Sequence, residues 1–357
     1  MKTKGTPMST CFKKISQFLF ILLVFGFFGI QNTYAQYPNT KVRDINQAYV
    51  DSLKQIDYDH TFPIWGEKAY KMGVDIPYPV GAMVNYIWME QGLLINNLQL
   101  GLQTDNIDLP LTDASFITTA DNVNTTYTIN FRPDLWVFPF LNVYGIIGYS
   151  NVKTEVNLTY PIKFTSVVDQ SASTAGVGVL TAFGIGTFYL ATDFNFTWTK
   201  PELVDKAVPV SVFGARFGKS FVFKNKPTRN LSFWAGAMYI NTSGGSTGSI
   251  TFDELLPNSD DKRNEIVTNY NDWYANEATP AEKKAADKIL TPIVDHIENA
   301  SGDGTILYSL NKGLAESWSG VVGMQFQYNK HLMLRTETSI LADRRSFLLS
   351  FNYRFLL

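Results

Sequence analysis

The stretch Ser346–Phe355 reads SFLLSFNYRF. Extended, it puts Phe347, Leu349, Phe351, Tyr353 and Phe355 on one side and Ser350, Asn352 and Arg354 on the other. A period of two over ten residues is a strand with one apolar and one polar face. The same pattern recurs upstream. Trp318, Gly320, Val322, Met324, Phe326 and Tyr328 alternate with Ser317, Ser319, Gly323, Gln325 and Gln327. Leu332, Leu334, Thr336, Thr338 and Ile340 alternate with Arg335, Glu337 and Ser339. The linkers Asn329–His331 and Ala342–Arg345 are short, so these three strands form an antiparallel meander. Farther back, Phe188, Leu190, Phe194, Phe196 and Trp198 alternate with Tyr189, Asp193, Asn195 and Thr197.

Alternation alone serves a soluble sandwich or a transmembrane barrel, and the chain's start and composition choose between them. Lys2, Lys4, Lys13 and Lys14 precede an apolar run, Phe18–Ile30, and then Thr33-Tyr34-Ala35. This reads as a signal peptide over residues 1–35, with cleavage before Gln36. The only cysteine, Cys11, lies in that leader, so the exported chain carries no disulfide framework. Removing four lysines takes the net charge from −2 to −6, with acids and bases mixed rather than blocked. Nothing in that pattern points to nucleic acid. The chain holds 26 Phe, 18 Tyr and 7 Trp, yet no segment after the leader approaches the ~18 apolar residues of a spanning helix. Aromatic residues also sit near strand ends: Trp318 and Tyr328 bracket one strand, Trp198 ends another, and Tyr353 and Phe355 end the last. That placement resembles the interfacial girdles of a membrane barrel.

Further strands are expected at Pro79–Leu102, Thr126–Val137, Phe140–Val152, Ala175–Gly184, Thr187–Thr199, Val208–Phe223 and Asn230–Thr242. The fold class is therefore all-β, an antiparallel transmembrane barrel of about ten strands over residues 79–357. Twelve strands result if Lys153–Thr165 forms its own hairpin. The Gly-rich stretch Ala175–Gly186 fits bends in a curved wall. Short turns fall at Phe138–Phe140, Gly184–Gly186, Lys224–Arg229 and Asn329–His331. Long connections fall at Gln103–Thr125, Val152–Thr174, Lys200–Ala207 and Thr242–Glu316. Short turns on the periplasmic side and long loops outside are the bacterial pattern.

One outer connection is helical, at about residues 253–304. Asp260–Asn276 and Thr279–Asn299 read as helices, the second opened by a capping box, Thr279-Pro280-Ala281-Glu282. Pro292 is expected to kink or restart it. Residues 36–78 form an N-terminal segment, periplasmic or lumen-plugging, in which Ile45, Ala48, Tyr49, Leu53 and Ile56 share a helix face.

The last strand resembles the C-terminal signal that the barrel-assembly machinery reads, with Phe351, Tyr353 and Phe355 in the signal and Leu356 and Leu357 extending beyond it. The chain also resembles Gram-negative outer-membrane barrel proteins sharing a DxWxxPFLNVYGxxGY core. Here that core is Asp134, Trp136, Pro139, Phe140, Leu141, Asn142, Val143, Tyr144, Gly145, Gly148 and Tyr149. The resemblance spans about Pro79–Phe355. It implies fold and location, with no activity attached.

The polar strand faces supply the candidate lumen-lining residues: Asp193, Asn195, Gln325, Gln327, Arg335, Glu337, Asn352 and Arg354. A barrel of this strand number has a narrow interior. These groups either pair across it or form a polar path or site for a small solute. Catalysis is not expected, because His60, His296 and His331 fall in three separate parts of the chain. No cofactor and no metal site is expected. Acids in the outer loops, Asp105, Asp108, Asp113, Asp260 and Asp261, read as solvated rather than as a Ca²⁺ site. The expected reading is a non-enzymatic outer-membrane barrel that passes or binds a small solute. Its partners are outer-membrane lipid and the assembly machinery, with no nucleic acid. A surface structural or adhesion barrel with a sealed lumen is the alternative, and an outer-membrane enzyme the third.

Overall fold

The computed structural model describes residues 40–161, 163–185, 187–204, 206–223, 225–242, 245–255, 260–299 and 304–356. The expected signal peptide, residues 1–35, lies outside the described residues, as does the side chain of Ile45. The chain divides into two units, Met1–Ala48 and Tyr49–Leu357, and the features below belong to the second.

Ten strands close on themselves: β1 (Val80–Gln103), β4 (Asn122–Phe138), β5 (Leu141–Tyr160), β6 (Phe164–Ile185), β7 (Phe188–Pro201), β8 (Val208–Phe223), β9 (Lys226–Thr242), β12 (Trp318–Gln327), β13 (Leu332–Ile340) and β14 (Arg345–Phe355). Every neighbouring pair is antiparallel. The ring closes because β1 pairs with β14 on one edge and β4 on the other, for example Val84 with Phe351 and with Phe131. Full closure leaves no edge strand in the wall. The twelve-strand alternative does not hold. Lys153–Thr165 forms no separate hairpin, because β5 and β6 continue past the expected ends and pair from Leu141/Thr181 to Leu158/Phe164. The expected long connection at Val152–Thr174 is thus mostly strand.

Four more strands lie in the outer connections: β2 (Asp108–Asp113), β3 (Thr118–Thr119), β10 (Gly245–Thr251) and β11 (Thr305–Leu314). β1 runs for 24 residues, and above Leu93 it exchanges β14 for β11. Higher still it pairs with β2, so β10, β11, β1 and β2 form a flap beyond the barrel. Three helices complete this cap: Phe252–Leu255, Asp260–Asn276 and Pro280–Asn299. Glu282 Oε2 accepts the Thr279 N–H at 2.8 Å and its hydroxyl at 2.6 Å, forming the capping box. The last helix runs continuously through Pro292, so it does not restart there. Buried Ile289, Leu290, Ile293 and Val294 hold it on both sides of the proline.

The direction of burial changes along the chain. In the cap, apolar side chains point inward: Leu102, Ile289 and Ala286 are fully buried, with Trp273, Val294 and Phe252 beside them. At the other end Leu53, Ala69, Tyr70 and Ile76 form a second small core. In the barrel the order is reversed. Phe347, Leu349, Phe351, Tyr353 and Phe355 are exposed, while Ser350, Asn352 and Arg354 are buried. Outward Trp318, Trp198, Tyr149 and Tyr127 ring the long-loop end, and Phe188, Phe217, Phe223, Tyr328 and Tyr353 ring the short-turn end. From Trp318 to Tyr328, ten steps of a tilted strand cover about 25 Å, the height of an apolar membrane band. Water can surround the two end cores, but only lipid suits the inverted belt between them. Arginine in place of Leu349, midway down that belt, is expected to cost about 2–4 kcal/mol. Equilibrium unfolding in lipid vesicles measures this, and an unchanged midpoint would contradict the inverted wall.

One glycine of the Gly-rich strand makes room for a side chain inside the barrel. Gly178 faces inward, and a Cβ there would enter the Tyr144 ring lying across it.

Candidate functional site: the polar lumen

Strand alternation and register carry polar side chains from six strands into one network. Asp193 and Asn195 project from β7, Arg216 from β8, Trp234 from β9, and Arg335 and Glu337 from β13. Arg216 is the centre. Its Nε and Nη2 donate to Glu337 Oε2 and Oε1 at 2.7 and 2.8 Å, a bidentate fork, and its Nη1 donates to Asp193 Oδ1. Glu337 Oε2 also accepts from Trp234 Nε1 at 2.7 Å and Arg335 Nη2 at 2.9 Å. In the other direction Asn195 Nδ2 donates to Asp193 Oδ2 at 2.9 Å, and Tyr144 on β5 donates to Asn195 Oδ1 at 2.7 Å. Arg132 on β4 lies over the Tyr144 ring at 3.8 Å, and Arg335 lies over the Trp234 ring at 4.8 Å. Arg216 reaches Asp193 only because Gly214 lies beneath it; a Cβ there would strike both groups.

Burial explains the connectivity. A carboxylate or guanidinium held away from water must be neutralised and hydrogen-bonded, or its desolvation is uncompensated. The middle network carries Arg132, Arg216 and Arg335 against Asp193 and Glu337. Its arginines therefore outnumber its carboxylates by one.

Two further polar layers flank it. At the short-turn end Arg354 Nη2 donates to Asp134 Oδ1 at 2.7 Å, and its Nε donates to the Tyr78 carbonyl at 2.8 Å. Asn142 Nδ2 donates to the same carboxylate oxygen at 2.6 Å. Arg354, Gly81 and Asp134 occupy one rung of β14, β1 and β4. A Cβ on Gly81 would collide with the Asp134 carboxylate, so the ion pair spans the closing seam across a bare backbone. At the long-loop end Arg344 is 1% exposed. It donates to Gln91 Oε1 and Ser319 Oγ at 3.1 Å each and to the Glu316 carbonyl at 3.1 Å. Between the layers, where β1 lies between β14 and β4, Asn85 Nδ2 donates to Asn130 Oδ1 on β4 at 2.6 Å. The buried Asn85 Oδ1, Asn352 Oδ1 and Ser350 Oγ have no partner among the described residues.

The sequence-derived candidates thus separate. Asp193, Asn195, Arg335 and Glu337 meet in the middle network, whereas Arg354 joins the seam and Asn352 the β1–β14 wall. Gln325 Nε2 lies 3.5 Å from Met333 Sδ, and Gln327 Nε2 donates to the Thr228 carbonyl at 3.0 Å, so both hold the wall. Arg216, Trp234, Arg132 and Arg344 were not among the candidates. Arg216 was legible, since Gly214, Arg216 and Gly218 alternate with the outward Phe213 and Phe217. Trp234 was not, because its neighbour Phe233 is equally apolar and takes the outward position. An open groove of about 620 Å³, lined by Pro133, Val143, Gly145, Val177, Val179 and Phe194 among others, faces lipid rather than the lumen. Among the described residues no cluster of His, Cys, Asp or Glu has the makings of a metal site.

A closed antiparallel wall, apolar outside and ionic within, defines a transmembrane β-barrel. No protein-family model matches the chain, and no curated protein matches it in sequence. Solved structures similar in outline are membrane barrels. The outer membrane protein OprG of Pseudomonas aeruginosa has 8% identity and a TM-score of 0.34, over 79% of this chain and 100% of that one. The β domain of the Bordetella autotransporter BrkA has 10% identity and a TM-score of 0.33, over 78% and 100%. The toluene transporter TbuX of Ralstonia pickettii has 7% identity and a TM-score of 0.28, over 78% and 90%.

Proposed function

We propose that the chain is a non-enzymatic outer-membrane barrel of a Gram-negative envelope that binds or passes a small anionic solute through its narrow lumen. The surplus arginine of the middle network carries this reading. Arg216 is held between two carboxylates and Arg335 by one, but Arg132 lies over the face of Tyr144 with no carboxylate paired to it among the described residues. A low-dielectric lumen magnifies that imbalance. The lining candidates keep separate roles: Asp193 and Glu337 set the positions of the arginines, while Asn85, Asn352 and Ser350 offer acceptor atoms along one wall.

Planar-bilayer recordings under a salt gradient test the proposal. The expected reversal potential is that of an anion-preferring pore, and Arg132→Glu is expected to reverse its sign. Absence of conductance, both in the exported protein and after deletion of residues 36–78, would sink the passage reading. Binding of a small anion in the lumen would then remain to be measured by calorimetry.

A sealed structural barrel is the second reading, favoured by Arg216, which reaches across the lumen from β8 to β13. The enzyme reading has less support. His60 lies beside Tyr58, His296 beside Phe252 in the cap, and His331 in the β12–β13 turn, bonded to the Arg354 carbonyl. The assembly-signal reading is supported by Phe351, Tyr353 and Phe355, which all face outward on the strand that closes the ring against β1.

A further inference from the structure

The segment Tyr49–Tyr78 is fastened to the short-turn end of the barrel. Ile64 N–H donates to the Val137 carbonyl at 2.8 Å, and Lys330 in the β12–β13 turn pairs with Asp75 at 2.8 Å. Burial works against the Lys330 ammonium, but Asp75 and the Tyr70 hydroxyl outweigh it and raise its pKa. The inner side of the segment is sealed by Leu53, Ala69, Tyr70 and Ile76.

Its outer side is unlike that of a water-facing segment. Met72 is 70% exposed, Trp65 52%, and Ile64 41%. Trp65 opens the short helix Gly66–Lys71 with φ 72°, a left-handed conformation strained for a bulky side chain. That conformation leaves half the ring uncovered, so burial within the protein does not account for it. The ring instead continues the lipid belt. Trp65 lies 4.9 Å from Phe138, Phe138 stacks on Phe140 at 5.6 Å, and Phe140 stacks on the outward Phe183 at 5.6 Å. Lys68 sits over the Trp65 ring at 5.6 Å, and Lys71, paired with Glu67, flanks the same helix. Tryptophan at the apolar boundary with lysines reaching toward headgroups is the pattern of an interfacial anchor.

We propose that Ile64, Trp65 and Met72 form a foot that enters the membrane leaflet at the short-turn end, with Lys68 and Lys71 on anionic phospholipid headgroups. The foot extends the barrel's lipid contact beyond its strands and fixes the depth of the segment. It does not depend on what the lumen carries.

The only cysteine lies in the expected leader, so a single Met72→Cys in the exported protein takes one fluorescent label. Asn106→Cys in the outer cap is the reference. Both are placed in vesicles of phosphatidylethanolamine and phosphatidylglycerol, and heat-modifiable mobility verifies that each barrel has folded. The label at 72 is expected to lose most of its emission to nitroxide-bearing lipids and to resist aqueous iodide, with the opposite at 106. A joint Lys68→Glu and Lys71→Glu change is expected to weaken the lipid quenching at 72. A label at 72 quenched by iodide as readily as at 106 would overturn the foot, and unchanged quenching in the charge variant would overturn the headgroup contact.

Discussion

Arg354→Ala is expected to destabilise the barrel by about 3–5 kcal/mol, because it leaves the Asp134 carboxylate buried without its cation. The wild-type guanidinium is buried at the rung where the last strand meets the first, bonded to Asp134 and to the backbone of Tyr78 and Pro79. Urea unfolding in lipid vesicles measures the loss. Asp134→Ala strands the opposite charge and should cost a comparable amount, while the double variant should lose less than the sum. Arg354→Lys should recover only part, since one ammonium cannot reproduce the planar fork. Gly81→Val is expected to act earlier, at closure itself. Its side chain would occupy the space where Arg354 and Asp134 meet, so heat-modifiable barrel should not accumulate. Wild-type stability in Arg354→Ala would show that the seam is held by strand pairing alone.

The second large effect is expected at Arg216. Alanine there exposes Asp193 and Glu337 to each other's charge in a buried setting and removes three strong hydrogen bonds. A loss of about 3–5 kcal/mol follows from breaking one buried ionic cluster. The same change empties the chord from β8 to β13 and reduces the arginine surplus of the middle network from one to none. Single-channel conductance should therefore rise and anion preference should fade, in a variant less stable than wild type. Arg216→Ala with unchanged conductance and selectivity would place the solute path elsewhere.

Much of the wall was legible from residue order. Period-two alternation was explicit in four strands, the remaining barrel strands were expected as further candidates, and aromatic placement gave the sense of the wall, with Leu349 outward and Asn352 inward. The capping box at Thr279 and Glu282 marked the second cap helix, because its bonds join residues only three apart. Strand ends were read short where polarity rose, as in β5 and β6, whose outer halves leave the lipid and alternate less cleanly. In the flap, β2, β10 and β11 were missed for a similar reason. Its apolar residues face a helical cap rather than lipid, so they follow a different rule of burial.

The stretch Asp134–Tyr149 divides between two layers of the lumen in three dimensions. Asp134, Asn142 and Tyr144 look like parts of one motif in sequence, yet Asp134 and Asn142 serve the closing seam with Arg354, while Tyr144 serves the middle network through Asn195. Which inward residue meets which depends on shear and closure, and these are set by ten strands at once. The inward or outward choice at each position is local, since successive side chains of a strand must point to opposite faces. Arg216 between Asp193 and Glu337, 23 and 121 residues away, is not local. Alternation in the chain therefore settled the membrane wall, whereas the ionic pattern of the lumen was decided by the closed ring, which brings distant charges within reach and leaves each no solvent to turn to.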